Sequence, residues 1–398
     1  MNVAVFVHFR RLINQTGVGR VTYELLHALI RQRGIELCAI GSREDFEAIR
    51  TLGIALPSAM QIELFSRSRA AQQLLWLALK QPKCESLWKE ADVVWCPAES
   101  YIPSNRIPLV VTVHDAAHME SGLWPANGAH SAHQLRWRWL FRRLESDAAA
   151  FITVSQFSAD RLAFFYPWMK DRLWVVPNAV PARLLAPPSA DGDRFVHNLE
   201  LSNTRIVLVP GGLTHRKNGE LILAAWELVR RRMHNVTLVI AGSSDEDLVA
   251  RCETGSNEVR HLGYVTDEVF RSLYEKADVV WFPSRYEGFG MPVLEAMACG
   301  RPVVASASSS IPEVAGDAAI LLPVDSPEHH SEAIIDLLQN LEKREDYARR
   351  GLRRAQMFSW ELSADRLVNV FHQTLSKKSA ADSTPKLSGF AGDASARF

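Results

Sequence analysis

A chain of 398 residues is too long for one ordinary core and suits two domains. Hydrophobic residues make up 47% and charged residues 23%, as in a soluble globular protein, and the 45 basic side chains equal the 45 acidic ones. Zero formal net charge leaves no global field to gather nucleic acid, which argues against DNA or RNA as a partner.

The N-terminus, Met1-Asn-Val-Ala-Val-Phe-Val7, has no basic lead and no cleavage site, and reads as a first buried strand rather than a signal peptide. No apolar run approaches the roughly eighteen residues that a spanning helix needs. Cys38, Cys84, Cys96, Cys252 and Cys299 form no CxxC pair, so neither a disulfide framework nor a zinc site is expected. A reducing, cytoplasmic setting follows.

Apolar, β-branched runs at 3–7, 35–40, 93–96, 109–113 and 151–154 alternate with helical patterns such as 19–31 and 133–144. A second series at 206–209, 236–240, 279–282, 302–305 and 319–322 alternates with 219–232 and 292–299. Runs apolar on both faces are strands of parallel sheets covered by helices, which predicts a doubly wound α/β fold. The Pro-, Asp- and Gly-containing segment 181–203 reads as a linker between Rossmann-like domains at 1–180 and 204–359. A terminal helix is expected over 360–377, packing across the domains, and a disordered tail over 378–398.

Ligands of open α/β sheets bind beyond the carboxyl ends of the strands, so the loops that follow those ends carry the candidate sites. After strand one comes Asn14-Gln-Thr-Gly17-Val-Gly19-Arg20, opening a helix. Gly-x-Gly alone is weak, and neither a third glycine nor an acidic residue near Ile40 supports a dinucleotide site. Strand 109–113 runs into His114-Asp115 at the expected crevice, where a catalytic histidine and a structural one are equally in play. In 134–147, Trp137, Leu140, Phe141 and Leu144 form one stripe, and Arg136, Arg138, Arg142 and Arg143 surround Trp139 on the other side. A helix from near Ser68, with Arg67, Arg69, Leu74, Leu75, Trp76 and Leu77, could extend that surface. Ordinary packing with a solvated basic face competes here with a membrane-interfacial surface.

Strand 206–209 leads into Pro-Gly211-Gly212-Leu-Thr-His-Arg216-Lys217-Asn218 and a helix. Adjacent cations on a Gly-rich loop suit a diphosphate, and the plainer alternative is a solvated helix start with Asn218 as N-cap. Strand 279–282 leads into Glu287-Gly-Phe289-Gly290-Met291-Pro292-Val-Leu-Glu295, with Pro292 placed for a first helical turn and Gly300 for the helix end. Its glycines permit close backbone approach and its helix N-terminus offers free N–H groups to an anion. Two carboxylates so near an anion site suit hydroxyls or a developing cation, although isolated glutamates in a solvated loop would be unremarkable. No Asp-x-Asp pair marks a metal site, and no metal or other cofactor is expected.

The run from Pro283 to Ala305 resembles the E-x7-E region of glycosyltransferase family 4, and similar features recur over residues 1–375. The resemblance implies a GT-B fold and transfer with retention at the anomeric carbon. It would place Glu287 over the donor sugar, backbone from Phe289 to Pro292 on sugar hydroxyls and phosphate, and Glu295 on the ribose hydroxyls. Arg216 and Lys217 would neutralise the departing diphosphate. Gly17 and Gly19 would approach it from the opposite domain, His114 would touch the donor sugar, and Val265 in Gly263-Tyr-Val265 would meet the base. Asp115 could fix the His114 tautomer or receive the acceptor hydroxyl. Val154-Ser155-Gln-Phe-Ser and Val176-Pro-Asn178-Ala also match family positions, with Ala179 replacing a common glycine. Many relatives carry arginine where this chain has Gly212, so Arg216 must share the diphosphate with Lys217, or a group of the first domain must help. Likeness to mannosyltransferases suggests GDP-mannose as donor and a glycan or polyprenyl-diphosphate-linked acceptor in polysaccharide assembly, with peripheral contact at the inner membrane. The rivals are a sugar-nucleotide epimerase, a glycogen-synthase-like polymerase and a catalytically idle nucleotide-sugar-binding partner.

Overall fold

The structure, a computed structural model, describes residues 1–13, 17–123, 128–199, 201, 203–253 and 258–383. Among these residues the strands form two parallel sheets. The first comprises β1 (Asn2–Phe6), β2 (Glu36–Ser42), β3 (Gln61–Phe65), β4 (Val93–Cys96), β5 (Leu109–Thr112), β6 (Ala148–Thr153) and β7 (Leu173–Val175), in the order β3-β2-β1-β4-β5-β6-β7. The second comprises β8 (Arg205–Pro210), β9 (Val236–Ala241), β10 (Val259–His261), β11 (Val279–Phe282), β12 (Val303–Ser306) and β13 (Ile320–Leu322), in the order β10-β9-β8-β11-β12-β13. The order reverses between β1 and β4 in one sheet and between β8 and β11 in the other, and these reversals open the crevices where α/β proteins bind ligands.

The central strands are buried on both faces because side chains alternate between two cores. In the first sheet Val3 and Val5 face one apolar cluster, whereas Ala4 and Phe6 face another. In the second sheet Val207 and Val209 oppose Leu208 in the same way. The edge strands β3, β7 and β10 are only partly buried: β3 and β10 carry polar residues, and β7 is three residues long.

The segment 181–203, read as a linker, contains the short helix Ala182–Leu185 and the helix Ala190–His197. The latter packs so closely on the helix Asp267–Lys276 that a Cβ on Gly192 would lie 2.6 Å from the Glu268 carbonyl oxygen. The terminal helix runs over Trp360–Ser383, six residues into the expected tail, because Lys, Ser and Ala there sustain helix rather than break it. It buries Trp360, Ala364, Leu367, Val370 and Phe371 against the first sheet, so the chain crosses back to its starting domain. Residues 384–398 and the loop residues Asn14, Gln15 and Thr16 lie outside the described residues.

Candidate active site

The Gly-rich turn after β8 brings Arg216 and Lys217 to the second sheet's reversal, and the loop after β11 brings Glu287 to meet them. One carboxylate oxygen of Glu287 accepts from Arg216 Nη1 at 2.8 Å, Lys217 Nζ at 2.7 Å and Ser284 Oγ at 2.6 Å. Burial pushes the Glu287 carboxyl up, but the Lys217 and Arg216 charges and these hydrogen bonds outweigh it, and the group sits below its ordinary range. Lys217 is also lowered, because burial and the Arg216 charge oppose its proton more than Glu287 supports it. The ammonium lies 4.5 Å from the Phe282 ring centroid, which adds a cation–π contact. The cluster is thus a largely enclosed charge group with two cations on one carboxylate, which leaves one positive charge unbalanced within it.

The peptide of Glu287 is held as firmly as its carboxylate. Its N–H donates to Ser309 Oγ at 2.9 Å, and Ser310 Oγ donates to its carbonyl at 2.9 Å. Gly290, at φ +95°, starts the helix Met291–Ala298 from the left-handed region, with Pro292 in the first turn. Glu295 is buried just beyond the first turn, one residue further into the helix than the 292–299 pattern places it. One of its oxygens accepts from Tyr274 Oη at 2.9 Å and the other from Arg183 Nη2 at 3.0 Å. Phe289 and Val265 are buried in the same core.

Gly212 has a steric explanation. It stands at φ +78°, and a Cβ there would lie 1.9 Å from the Ser243 carbonyl oxygen. The β8 and β9 loops cross backbone to backbone at this point, which closes position 212 to any side chain. Asn218 does not cap the following helix with its side chain: it adopts φ 63° and donates Nδ2 to the Val324 carbonyl at 2.7 Å.

Across the crevice, β5 delivers His114 and Asp115. The His114 N–H donates to Glu99 Oε1 at 2.9 Å, and its Nε2 lies 3.1 Å from the Pro97 carbonyl oxygen. A Cβ on Gly288 would lie 2.9 Å from Asp115 Oδ2 and 3.1 Å from the His114 carbonyl oxygen, so His114 and the Glu287 loop come together at a glycine. Burial raises the Asp115 carboxyl above its ordinary value. Gly17 begins the helix Gly17–Leu29, with no atom within 4 Å of a built Cβ. Gly19 instead packs on the Arg11 carbonyl oxygen, 2.1 Å from a built Cβ, so its small size serves helix packing.

Sequence patterns did not reveal a second set of groups. Asp267, opening its helix, pairs with Arg20 of the first domain and with Arg183 Nε at 3.1 Å. Arg183 lies in the segment read as a linker, and Tyr274 lies mid-helix; neither position carries a local signature. Among the described residues no group of His, Cys, Asp or Glu side chains has the arrangement to hold a metal ion. No helix among them is long and apolar enough to cross a membrane.

The family model described as Glycosyltransferase Family 4 matches residues 15–184, and that described as Glycosyl transferases group 1 matches residues 193–354. The O-antigen chain mannosyltransferase B of Escherichia coli is 29% identical over 89% of this chain and 96% of its own. The MMP alpha-(1->4)-mannosyltransferase of Mycolicibacterium hassiacum is 28% identical over 70% of this chain and 68% of its own. Sucrose-phosphate synthase from Thermosynechococcus elongatus shares the fold, with a TM-score of 0.68 at 19% identity, covering 95% of this chain and 100% of that one. The two family models together take up most of the chain, one on each sheet, and the fold is GT-B. The chain belongs to glycosyltransferase family 4 and is mannosyltransferase-like.

Proposed function

We propose that the chain transfers mannose from GDP-mannose to a glycan or polyprenyl-diphosphate-linked glycan, with retention of configuration and without a bound metal. One observation carries this reading: Glu287 is pinned between Arg216 and Lys217 at the second sheet's reversal, opposite His114. A diphosphate seated here takes over the two cations and releases Glu287 toward the sugar. The bond from the anomeric carbon to the diphosphate oxygen then breaks, and the electron pair stays on the diphosphate. The acceptor oxygen attacks the same face, and its proton passes to the departing diphosphate. Glu287 stabilises the positive charge that develops at the anomeric carbon. Arg216 and Lys217 supply the cationic charge that a metal would otherwise bring. Mannose is favoured by the names of the E. coli and M. hassiacum relatives.

A thermal-shift series tests the donor: a nucleoside diphosphate at 100 times its Kd adds about 2.7 kcal/mol. Stabilisation by UDP but not GDP overturns the guanosine assignment. Proton NMR of the mannosylated product tests the stereochemistry, and the β-anomer overturns retention. Activity abolished by EDTA and restored by magnesium overturns metal independence.

A membrane-linked acceptor is favoured by the outer face of the first domain. Leu74 is 58% exposed, Leu135 70% and Trp139 38%. They line one groove of about 800 Å³ with Arg138 and Arg142. Apolar side chains rimmed by guanidinium groups match the interface of an anionic bilayer. Arg143 instead turns inward, donating Nε to the Leu77 carbonyl at 3.0 Å, and the Arg136 side chain lies outside the described residues.

A further inference from the structure

We propose that the N-terminus of the helix Gln156–Phe165 is the lock of domain closure, with Ser155, Ser158 and Glu313 as positioning residues that set Glu287 against His114. The inference rests on the transfer reaction proposed above. It comes from what the second domain places on that helix end. The Gly288 carbonyl accepts from Ser155 Oγ at 2.6 Å and from Ser158 Oγ at 3.0 Å, and both serines are fully buried. Ser155 Oγ also accepts from the Ser158 N–H at 3.0 Å. A hydroxyl has one proton to give, and here both serine protons go to the same carbonyl of the opposite domain.

The free amides of the helix end are met in the same way. The Glu313 carboxylate of the second domain accepts the Gln156 N–H at 2.9 and 2.8 Å and the Phe157 N–H at 3.2 Å. Unpaired amides and the positive end of a helix favour an anion, and this anion belongs to the partner domain rather than to a ligand. Phe157 meets Tyr286 edge to face at 5.5 Å, which seals the side of the contact.

The connection to the reacting residue is short. Gly288 follows Glu287 directly, and Glu313 lies three residues beyond Ser310, which with Ser309 pins both ends of the Glu287 peptide. Ser309 stands at φ 51°, a left-handed conformation that costs a serine about 1 kcal/mol or more and needs its surroundings to hold it. The stretch 309–313 therefore touches Glu287 at one end and the first domain at the other. Engaging the lock fixes where Glu287 sits, and any side chain on Gly288 would hold the domains apart at Asp115 and the His114 carbonyl.

Ser158→Ala with Glu313→Ala tests the lock and spares the Ser155 cap, so the helix keeps its own hydrogen bond. Small-angle scattering of the substrate-free full chain should show a larger radius of gyration in the double variant than in the parent. The kcat for mannosyl transfer should fall about ten-fold, because water replaces in part the three interdomain pairings that are lost, with the Kd for GDP within two-fold of the parent. Donor hydrolysis should rise relative to transfer, because an incompletely closed site admits water. Ser158→Thr with Glu313→Asp, which returns both the hydroxyl and the carboxylate, should recover closure and rate together. An unchanged radius of gyration overturns the lock, whatever reaction the chain proves to catalyse. Loss of GDP affinity in proportion to kcat would reduce the contact to a purely structural one. If the scattering changes as expected while no mannosyl transfer is found in the parent, the functional reading fails and the lock stands.

Discussion

The two reversals facing the cleft have the same strand order but opposite chemical character. The second sheet presents Arg216, Lys217, Glu287 and Glu295, buried or half-buried and directing their charge at one another or at Arg183. The first sheet presents His114, Asp115 and the serines of a helix end, whose described contacts run largely to backbone groups of either domain. Opposite charges already at hydrogen-bond distance can be reached by an anion only through an exchange of partners. Serine hydroxyls aimed at backbone constitute a docking face. The second domain holds a charge cluster, and the first meets it with hydroxyls and backbone.

The largest test of that contrast is Glu287→Gln. It keeps the shape and removes the charge on which Arg216 and Lys217 converge, and kcat should fall about 10²–10³-fold. GDP should bind at least as tightly, since the two cations lose their internal competitor. Steady-state kinetics and calorimetry check both, and an undiminished rate would remove Glu287 from the chemistry. Gly212→Ala comes next: a methyl group 1.9 Å from a carbonyl, on a backbone at φ +78°, should destabilise the chain by about 3 kcal/mol in urea unfolding. Stability within 1 kcal/mol of the parent would mean that the loop crossing is not tight.

The second domain should also be the acid-sensitive one. His330 lies in its core, where Nδ1 accepts from Trp281 Nε1 at 3.1 Å and Nε2 donates to the Pro323 carbonyl at 3.0 Å. Burial lowers it from 6.5 to about 4, and this pairing suits the neutral ring. The folded ring stays neutral while the unfolded chain takes up a proton below 6.5. Stability is therefore intact above that pH, declines as the pH falls, and has lost about 3 kcal/mol near pH 4. Unfolding followed from pH 7 to pH 4 should show this loss, and His330→Gln should flatten it. The smallest effect concerns the outer face of the first domain. Trp139→Ala with Arg142→Ala should weaken co-sedimentation with phosphatidylglycerol-containing liposomes about ten-fold, at roughly 1 kcal/mol for the arginine and the rest for the ring. Co-sedimentation unaffected by both changes would count against a membrane surface there.

Much of the architecture was legible because parallel sheets covered on both faces require runs such as 93–96 and 279–282, apolar at every position. The edges β3 and β10 were not legible because Gln, Glu, Arg and His interrupt their apolar runs, and β7 because it is only three residues long, whereas the edge β13 was read from its apolar run. The Arg216-Lys217 pair and the Glu287–Glu295 run could be read because strand-to-helix loops place them at a sheet's carboxyl edge whatever the rest of the chain does. Local chemistry by itself thus determined the two-sheet fold and half of the candidate site. Arg183 on Glu295, Ser155 and Ser158 on Gly288, and Glu313 on a helix end over 150 residues away were decided only by the tertiary structure. Even Gly212 acquired its meaning there, from a carbonyl on a neighbouring loop. The physical reason is one of range: periodicity and turn chemistry act over a few residues, whereas a hydrogen bond between domains depends on where two separately folded surfaces meet.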